Sequence, residues 1–98
     1  MPYCFIQDVA ADEEIYRQVM DLVPNEPPAG LITHVAAKRD GGLRYVDLWE
    51  SEADWERFRD AHVEPAVTKV LAGFGIEHTH DGVTIEELDV IHVWRGDA

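Results

Sequence analysis

One cysteine, one serine and one asparagine stand in a chain of 98 residues. With Cys4 alone, no internal disulfide can form. This fits a reducing compartment, and the cytoplasm is the expected location. Cys4 lies in the first strand-like run with no evident base beside it, so an activated thiol is not expected. Ser51 precedes a helical pattern and is committed to capping it, which argues against a Ser-His-Asp hydrolase. Glycines are not arranged as a phosphate loop or a dinucleotide fingerprint. No apolar run approaches the roughly 18 residues of a membrane span, and the N-terminus lacks the basic-then-apolar pattern of a signal peptide. Positive charge is scarce: eight basic residues face twenty acidic ones, a net charge of −12. Such a field repels polyphosphates, so neither nucleic acid nor an anionic membrane is an expected partner. The same charge also serves plain solubility.

What is present describes an ordinary globular protein, 46% hydrophobic and 29% charged. Residues 1–98 are expected to form a single domain. A chain of this size buries only about 60–65% of its surface on folding, so a second copy would help cover apolar faces. The centre of the pattern is Leu31–Glu50, where two extended runs flank Arg39-Asp40-Gly41-Gly42, a strong hairpin signal. Before it, Tyr3–Val9 reads as a strand that is apolar on both faces. Asp12 can cap a helix running to about Val23, with Ile15, Val19 and Leu22 as one stripe and Tyr16, Met20 and Val23 beside it. Pro24 ends that helix. After the hairpin, Ser51 and Asp54 approximate a capping box. Trp55, Phe58, His62, Ala66 and Val70 then share one helical face, and Pro65 should kink or restart the helix. Gly73 and Gly75 end it. Val83–Arg95 is expected to contain the last strand, starting near Glu87 in LDVIHVWR.

The order β-α-β-β-α-β predicts an α+β, ferredoxin-like antiparallel sheet with both helices on one face. A loop of Asp40-Gly41, or of Arg39 to Gly42, sets Lys38 opposite Leu43, Ala36 opposite Tyr45, His34 opposite Asp47 and Ile32 opposite Trp49. A Gly41-Gly42 turn would instead set His34 opposite Trp49. Both registers put His34, Tyr45, Asp47 and Trp49 on one face; a three-residue loop would break the grouping. Thr33, Val35, Ala37, Val46 and Leu48, with Arg44 near the rim, form the other face, which suits either a core or a dimer seam. Imidazole, carboxylate, phenol and indole are costly to bury without partners. The His34 face is therefore assigned to a cavity under the helices, walled by Trp49, Trp55 and Phe58 and holding His34, His62 and Asp47.

Each of these residues has a plain structural use as well. His34 and Asp47 can be a satisfied buried pair, or Asp47 can orient a ring whose other nitrogen moves a substrate proton. His62, Trp55 and Phe58 at helical spacing suit a core. His92 and Trp94 share a face of the expected last strand. His78-Thr79-His80-Asp81 offers weak metal ligands, but a defined site needs three or four at fixed spacing, so a solvated turn is expected and no metal.

The element order across the chain, and the stretch GLITHVAAKRDGGLRYVDLWESEADWERFRDAHVEPAV, resemble the dimeric α–β barrel superfamily with its antibiotic-biosynthesis-monooxygenase-like proteins. The resemblance implies a homodimer joined through its sheets. It also implies a cavity between sheet and helices for an apolar or aromatic small molecule, used without a cofactor. Catalysis would fall to His34, Asp47 and His62, with Tyr45, Trp49, Trp55, Phe58 and His92 around the substrate. Oxygenase members of that superfamily often use an active-site Asn, commonly with a Trp. Here the sole asparagine is Asn25, in the loop before the hairpin, which favours isomerisation, cyclisation or elimination over oxygenation. The other open reading is a non-catalytic binding or dimerisation module built on the same fold.

Overall fold

The computed structural model describes residues 2–77 and 83–95. Four strands, β1 (Tyr3–Val9), β2 (Leu31–Arg39), β3 (Gly42–Trp49) and β4 (Thr84–Leu88), form one antiparallel sheet in the order β2-β3-β1-β4. Helix α1 (Glu13–Leu22) links β1 to β2. Helices α2 (Glu52–Phe58) and α3 (Glu64–Gly73) link β3 to β4 through a π-helical segment, Arg59–Val63. The α+β, ferredoxin-like arrangement is thus the observed one.

The hairpin closes with Arg39 opposite Gly42, so Asp40-Gly41 is the two-residue loop. Gly41 has φ +82°, the left-handed conformation such a loop demands. At Gly42 a Cβ would overlap the carbonyl oxygen of Val9, so only glycine lets β1 approach the turn. His34 lies opposite Asp47 and Ala36 opposite Tyr45, as the loop predicts. The expected pairing of Ile32 with Trp49 is corrected: Leu31 takes that place, and the ladder resumes at Thr33 and Leu48. Ile32 is the extra residue of a bulge, which absorbs a one-residue shift at the end of the ladder.

Asp12 caps α1 by accepting the Ile15 N–H at 2.9 Å, and Ser51 caps α2 through the Asp54 N–H at 3.2 Å. The buried side of α1 differs from the expected stripe. Val23 is buried while Leu22 is almost half exposed. The inward line therefore runs through Tyr16, Val19 and Val23, an i, i+3, i+7 spacing. The kink expected at Pro65 takes a definite form. Pro65 has no N–H to return to the preceding turn. The Glu64 N–H reaches back five residues to the Arg59 carbonyl, widening the turn before α3 resumes. Ala66 and Val70 of α3 are then buried as expected, whereas His62 is turned to solvent.

The last strand is also displaced from its expected position. β4 spans Thr84–Leu88, and Asp89–Arg95 forms no strand. His92 and Trp94 therefore do not belong to a sheet face, and Trp94 is 89% exposed. The pair His78 and His80 falls outside the described residues.

Phe5 and Trp49, each 1% exposed, anchor the core. Phe5 meets Trp55 with ring centroids 5.0 Å apart, and Trp49 meets Trp55 and Phe58 at 5.6 and 5.8 Å. Tyr16 of α1 packs on Tyr45 at 5.5 Å. These contacts define one helix-covered face. The opposite face carries an apolar patch of Cys4, Ile6, Val35, Val46 and Leu48, bordered by Glu86 and by the Asp8–Arg44 ion pair, and Val35 is 49% exposed.

Candidate functional site

Strand alternation and a tight hairpin bring His34 and Asp47 side by side on the helix-covered face. Asp47 is buried to 4% exposure, and both its oxygens have partners. Oδ1 lies 2.6 Å from His34 Nδ1, and Oδ2 accepts the Trp49 Nε1–H at 3.0 Å. An ionised carboxylate has no proton to give, so Nδ1 of His34 must be the donor. In the neutral ring that leaves Nε2 as an acceptor. The Tyr16 hydroxyl fills it at 2.8 Å. The result is a directed chain: Tyr16 donates to His34, His34 donates to Asp47, and Trp49 holds the far oxygen.

Two phenols lie against the His34 ring, Tyr16 bonded to it and Tyr45 in ring contact. Burial, then Tyr16 and the negative charge of Asp47, push the Tyr45 hydroxyl up to about 12. Burial, followed by Asp47, also raises Tyr16, with Arg17 pulling the other way. Both therefore stay protonated near neutral pH, which keeps Tyr16 a donor. Tyr16, His34 and Tyr45 form a triangle of rings with centroids 5.5 to 6.1 Å apart. The His34 side chain remains 27% exposed, so the network opens at its Tyr16 end and is sealed at its Asp47 end.

Of the residues that the sequence nominates, His34, Asp47, Tyr45, Trp49, Trp55 and Phe58 do share one face. Trp49, Trp55 and Phe58, however, pack on one another, so the space assigned to a ligand between them holds their own rings. His62 is not brought to His34. Its ring meets Phe58 at 5.5 Å, tilted by 44°, and lines an open cleft of about 420 Å³ beside the loop of Pro24, Pro27 and Pro28. The π-helical turn before Pro65 is the physical reason. A second opening of about 460 Å³ lies at the hairpin end, beside Asp12, Lys38 and Arg39. None of the network residues lines either opening. His92 makes an edge contact with Trp94 at 6.0 Å and meets no member of the network. Among the described residues, no group of three or more His, Cys, Asp or Glu side chains could hold a metal ion.

Tyr16 is the residue that sequence reasoning missed. It was visible as an apolar-stripe neighbour one turn beyond the Asp12 cap. The rotation of α1 over the sheet, which brings it to His34, is not written locally.

The fold and this face define a ferredoxin-like α+β protein with a polar hydrogen-bonded network under its helices. Comparison with solved structures finds this fold in several other chains, some of them named for antibiotic biosynthesis monooxygenase. A candidate antibiotic biosynthesis monooxygenase from Caulobacter crescentus superimposes with a TM-score of 0.65 at 15% identity, covering 93% of this chain and 91% of that one. A protein of unknown function from Nitrosomonas europaea gives 0.66 at 13% identity, covering 99% and 96%. An antibiotic biosynthesis monooxygenase gives 0.60 at 17% identity, covering 94% and 100%. At these identities the likeness is one of fold. No protein-family model and no curated protein sequence matches the chain. Among the described residues, no helix is long and apolar enough to cross a membrane.

Proposed function

We propose that the protein is a small cofactor-independent enzyme that moves a proton on an apolar or aromatic metabolite. The observation that carries this is the Tyr16–His34–Asp47 chain. As the substrate's acidic proton reaches the Tyr16 oxygen, the Tyr16 proton passes to His34 Nε2. The imidazolium that forms is held by ionised Asp47, and the enolate or phenolate left behind is flanked by Tyr45. Returning the proton to another carbon completes an isomerisation or cyclisation; loss of a leaving group completes an elimination. Trp49, Trp55 and Phe58 act as the support that fixes Asp47 rather than as substrate walls. A second copy of the chain, set against the apolar outer face of the sheet, is the expected partner.

The test is solvent deuterium exchange into a panel of enolisable aromatic ketones, followed by NMR, with binding read separately by tryptophan fluorescence. We expect His34→Ala to lose exchange by at least about 100-fold while binding is kept. Equal exchange in both proteins sinks the catalytic reading. Binding without exchange in the wild type would favour the second reading, a non-catalytic ligand-binding or dimerisation module. The filled ring stack of Trp49, Trp55 and Phe58 speaks for that alternative.

A further inference from the structure

One carboxylate near the hairpin end of the helix-covered face serves two cations. Glu13 Oε1 lies 2.8 Å from Lys38 Nζ, and Glu13 Oε2 lies 2.7 Å from an Arg17 guanidinium nitrogen. The hydrogen bonds from Lys38 and then Arg17 hold the Glu13 carboxyl down at about 2, so it stays ionised. Two positive charges against one negative leave one positive charge over. Arg39 and Asp12, which line the adjoining opening, add one charge of each sign, and Asp12 is engaged by the Ile15 N–H. In a chain of net charge −12, a local surplus of the opposite sign stands out from the field around it. Such a spot draws an anion that the rest of the surface repels.

This surplus adjoins the hydrogen-bonded chain of Tyr16, His34 and Asp47. On α1, Tyr16 follows Glu13 by three residues, so the two share a side of the helix. On β2, Lys38 follows His34 by two alternation steps, so both belong to the helix side of the strand. Ala36 stands between them, exposed and carrying only a methyl group. About 13 Å of strand separates His34 from Lys38, with Ala36 midway. Tyr45 lies opposite Ala36 on β3, with its ring against those of Tyr16 and His34. Beyond Ala36 the opening of about 460 Å³ begins, lined by Glu13, Ile15, Lys38 and Leu43.

We propose that the substrate of this site is an enolisable aromatic acid, whose carboxylate docks on Lys38 and Arg17, whose ring lies over Ala36 beside Tyr45, and whose acidic C–H meets the Tyr16 oxygen. This rests on the proton-transfer reading above and narrows its substrate from an apolar or aromatic metabolite to one bearing a carboxylate. The ring bridges the stretch that Ala36 leaves uncovered. One surplus positive charge matches a carboxylate, whereas a phosphate dianion would leave a negative charge over. The ion pairs of Glu13 do not bar the way. The Lys38 and Arg17 side chains are 75% and 73% exposed, and pairs of that kind exchange partners readily. Lys38 also has three N–H donors, more than Glu13 uses. Lys38 and Arg17 determine specificity; neither touches the reacting atoms.

The test compares deuterium exchange into the acetyl group of 4-acetylbenzoate and of its methyl ester, each divided by its uncatalysed rate. We expect the full chain to favour the acid about tenfold in kcat/KM, mostly through KM, with the preference shrinking as salt is added. Lys38→Met should bring the acid-to-ester ratio close to one. Glu13→Gln, which releases both cations, should raise the ratio. A wild-type ratio near one, or a ratio that ignores Lys38→Met, overturns the carboxylate site and leaves the proton-transfer reading standing. Backbone amide shifts of Ala36 and Lys38 on adding 4-acetylbenzoate separate the two readings if neither compound exchanges. Shifts that vanish in Lys38→Met then keep the carboxylate site and strike the chemistry, and an absence of shifts in the wild type overturns the site itself.

Discussion

The helix-covered face has two halves that are closed by different physics. In the aromatic half, Phe5, Trp49, Trp55 and Phe58 fill space with rings, and Phe5 and Trp49 have almost no exposure. In the polar half, Tyr16 and His34 are held by hydrogen bonds, Tyr45 packs its ring against both, and all three remain part-exposed. Asp47 belongs to both, because one oxygen serves Trp49 and the other serves His34. The comparison assigns stability to one half and chemistry to the other. A buried carboxylate with two donors is costly to assemble and costly to disturb, which makes it a rigid post for the His34 ring.

The sharpest way to break this division is Phe5→Ala. It empties the aromatic half without touching a hydrogen bond of the network. A loss of about 3–5 kcal/mol is expected, seen as a fall of more than about 10 °C in the melting temperature. In the surviving folded fraction, nitrogen chemical shifts of His34 should still report a protonated Nδ1. Asp47→Ala comes next. It strands the Trp49 N–H and the His34 Nδ1–H, at a cost of about 2–3 kcal/mol in urea or thermal unfolding. Unlike the first change, it should scramble the His34 tautomer. If Asp47→Ala unfolds the protein no more than a surface substitution does, the bridge between the two halves is not structural.

Two of these elements show how far the residues alone reach. The Asp40-Gly41 loop and strand alternation suffice to pair His34 with Asp47, because a two-residue hairpin leaves little freedom of register. Tyr16 lies 18 residues from His34, and its contact depends on how α1 is rotated and docked, which is decided by packing across the whole layer. The β4 boundary was misread for a related reason. Val90–Trp94 has strand propensity, but a strand also needs a neighbour, and propensity carries no information about one. His62 left its expected place because Pro65 changed the helix from within, a break visible in the sequence whose direction is not.

Smaller effects sharpen the polar half. The Tyr45 hydroxyl is raised from 10.0 to about 12, chiefly by burial. The folded state therefore keeps a proton that the unfolded chain releases above pH 10. The associated stability is fully present below pH 10 and is lost as pH rises through 12. Tyr3, also raised to about 12 by burial and by Glu87, adds in the same direction. Urea titrations between pH 9 and 12 should show this decline, and Tyr45→Phe should flatten part of it (Tyr3, Tyr16 and Cys4, all raised by burial, contribute the remainder). The least effect belongs to His62→Ala, within about 0.5 kcal/mol in stability and with no change in proton exchange, since His62 is exposed and outside the network. A large loss of exchange in that variant would return His62 to the site.

The widened turn at Arg59–Val63 reaches beyond this chain. Each residue advances an α-helix by about 100°, so one surplus residue would swing everything after it off the sheet unless the excess were spilled locally. The π turn spills it, leaving Ala66 and Val70 in phase with the core. A homologue one residue shorter at this point could superimpose on both flanking helices with a straight connection. Its counterpart to His62 would then point elsewhere, and gap-free alignment would match side chains that never occupy the same space.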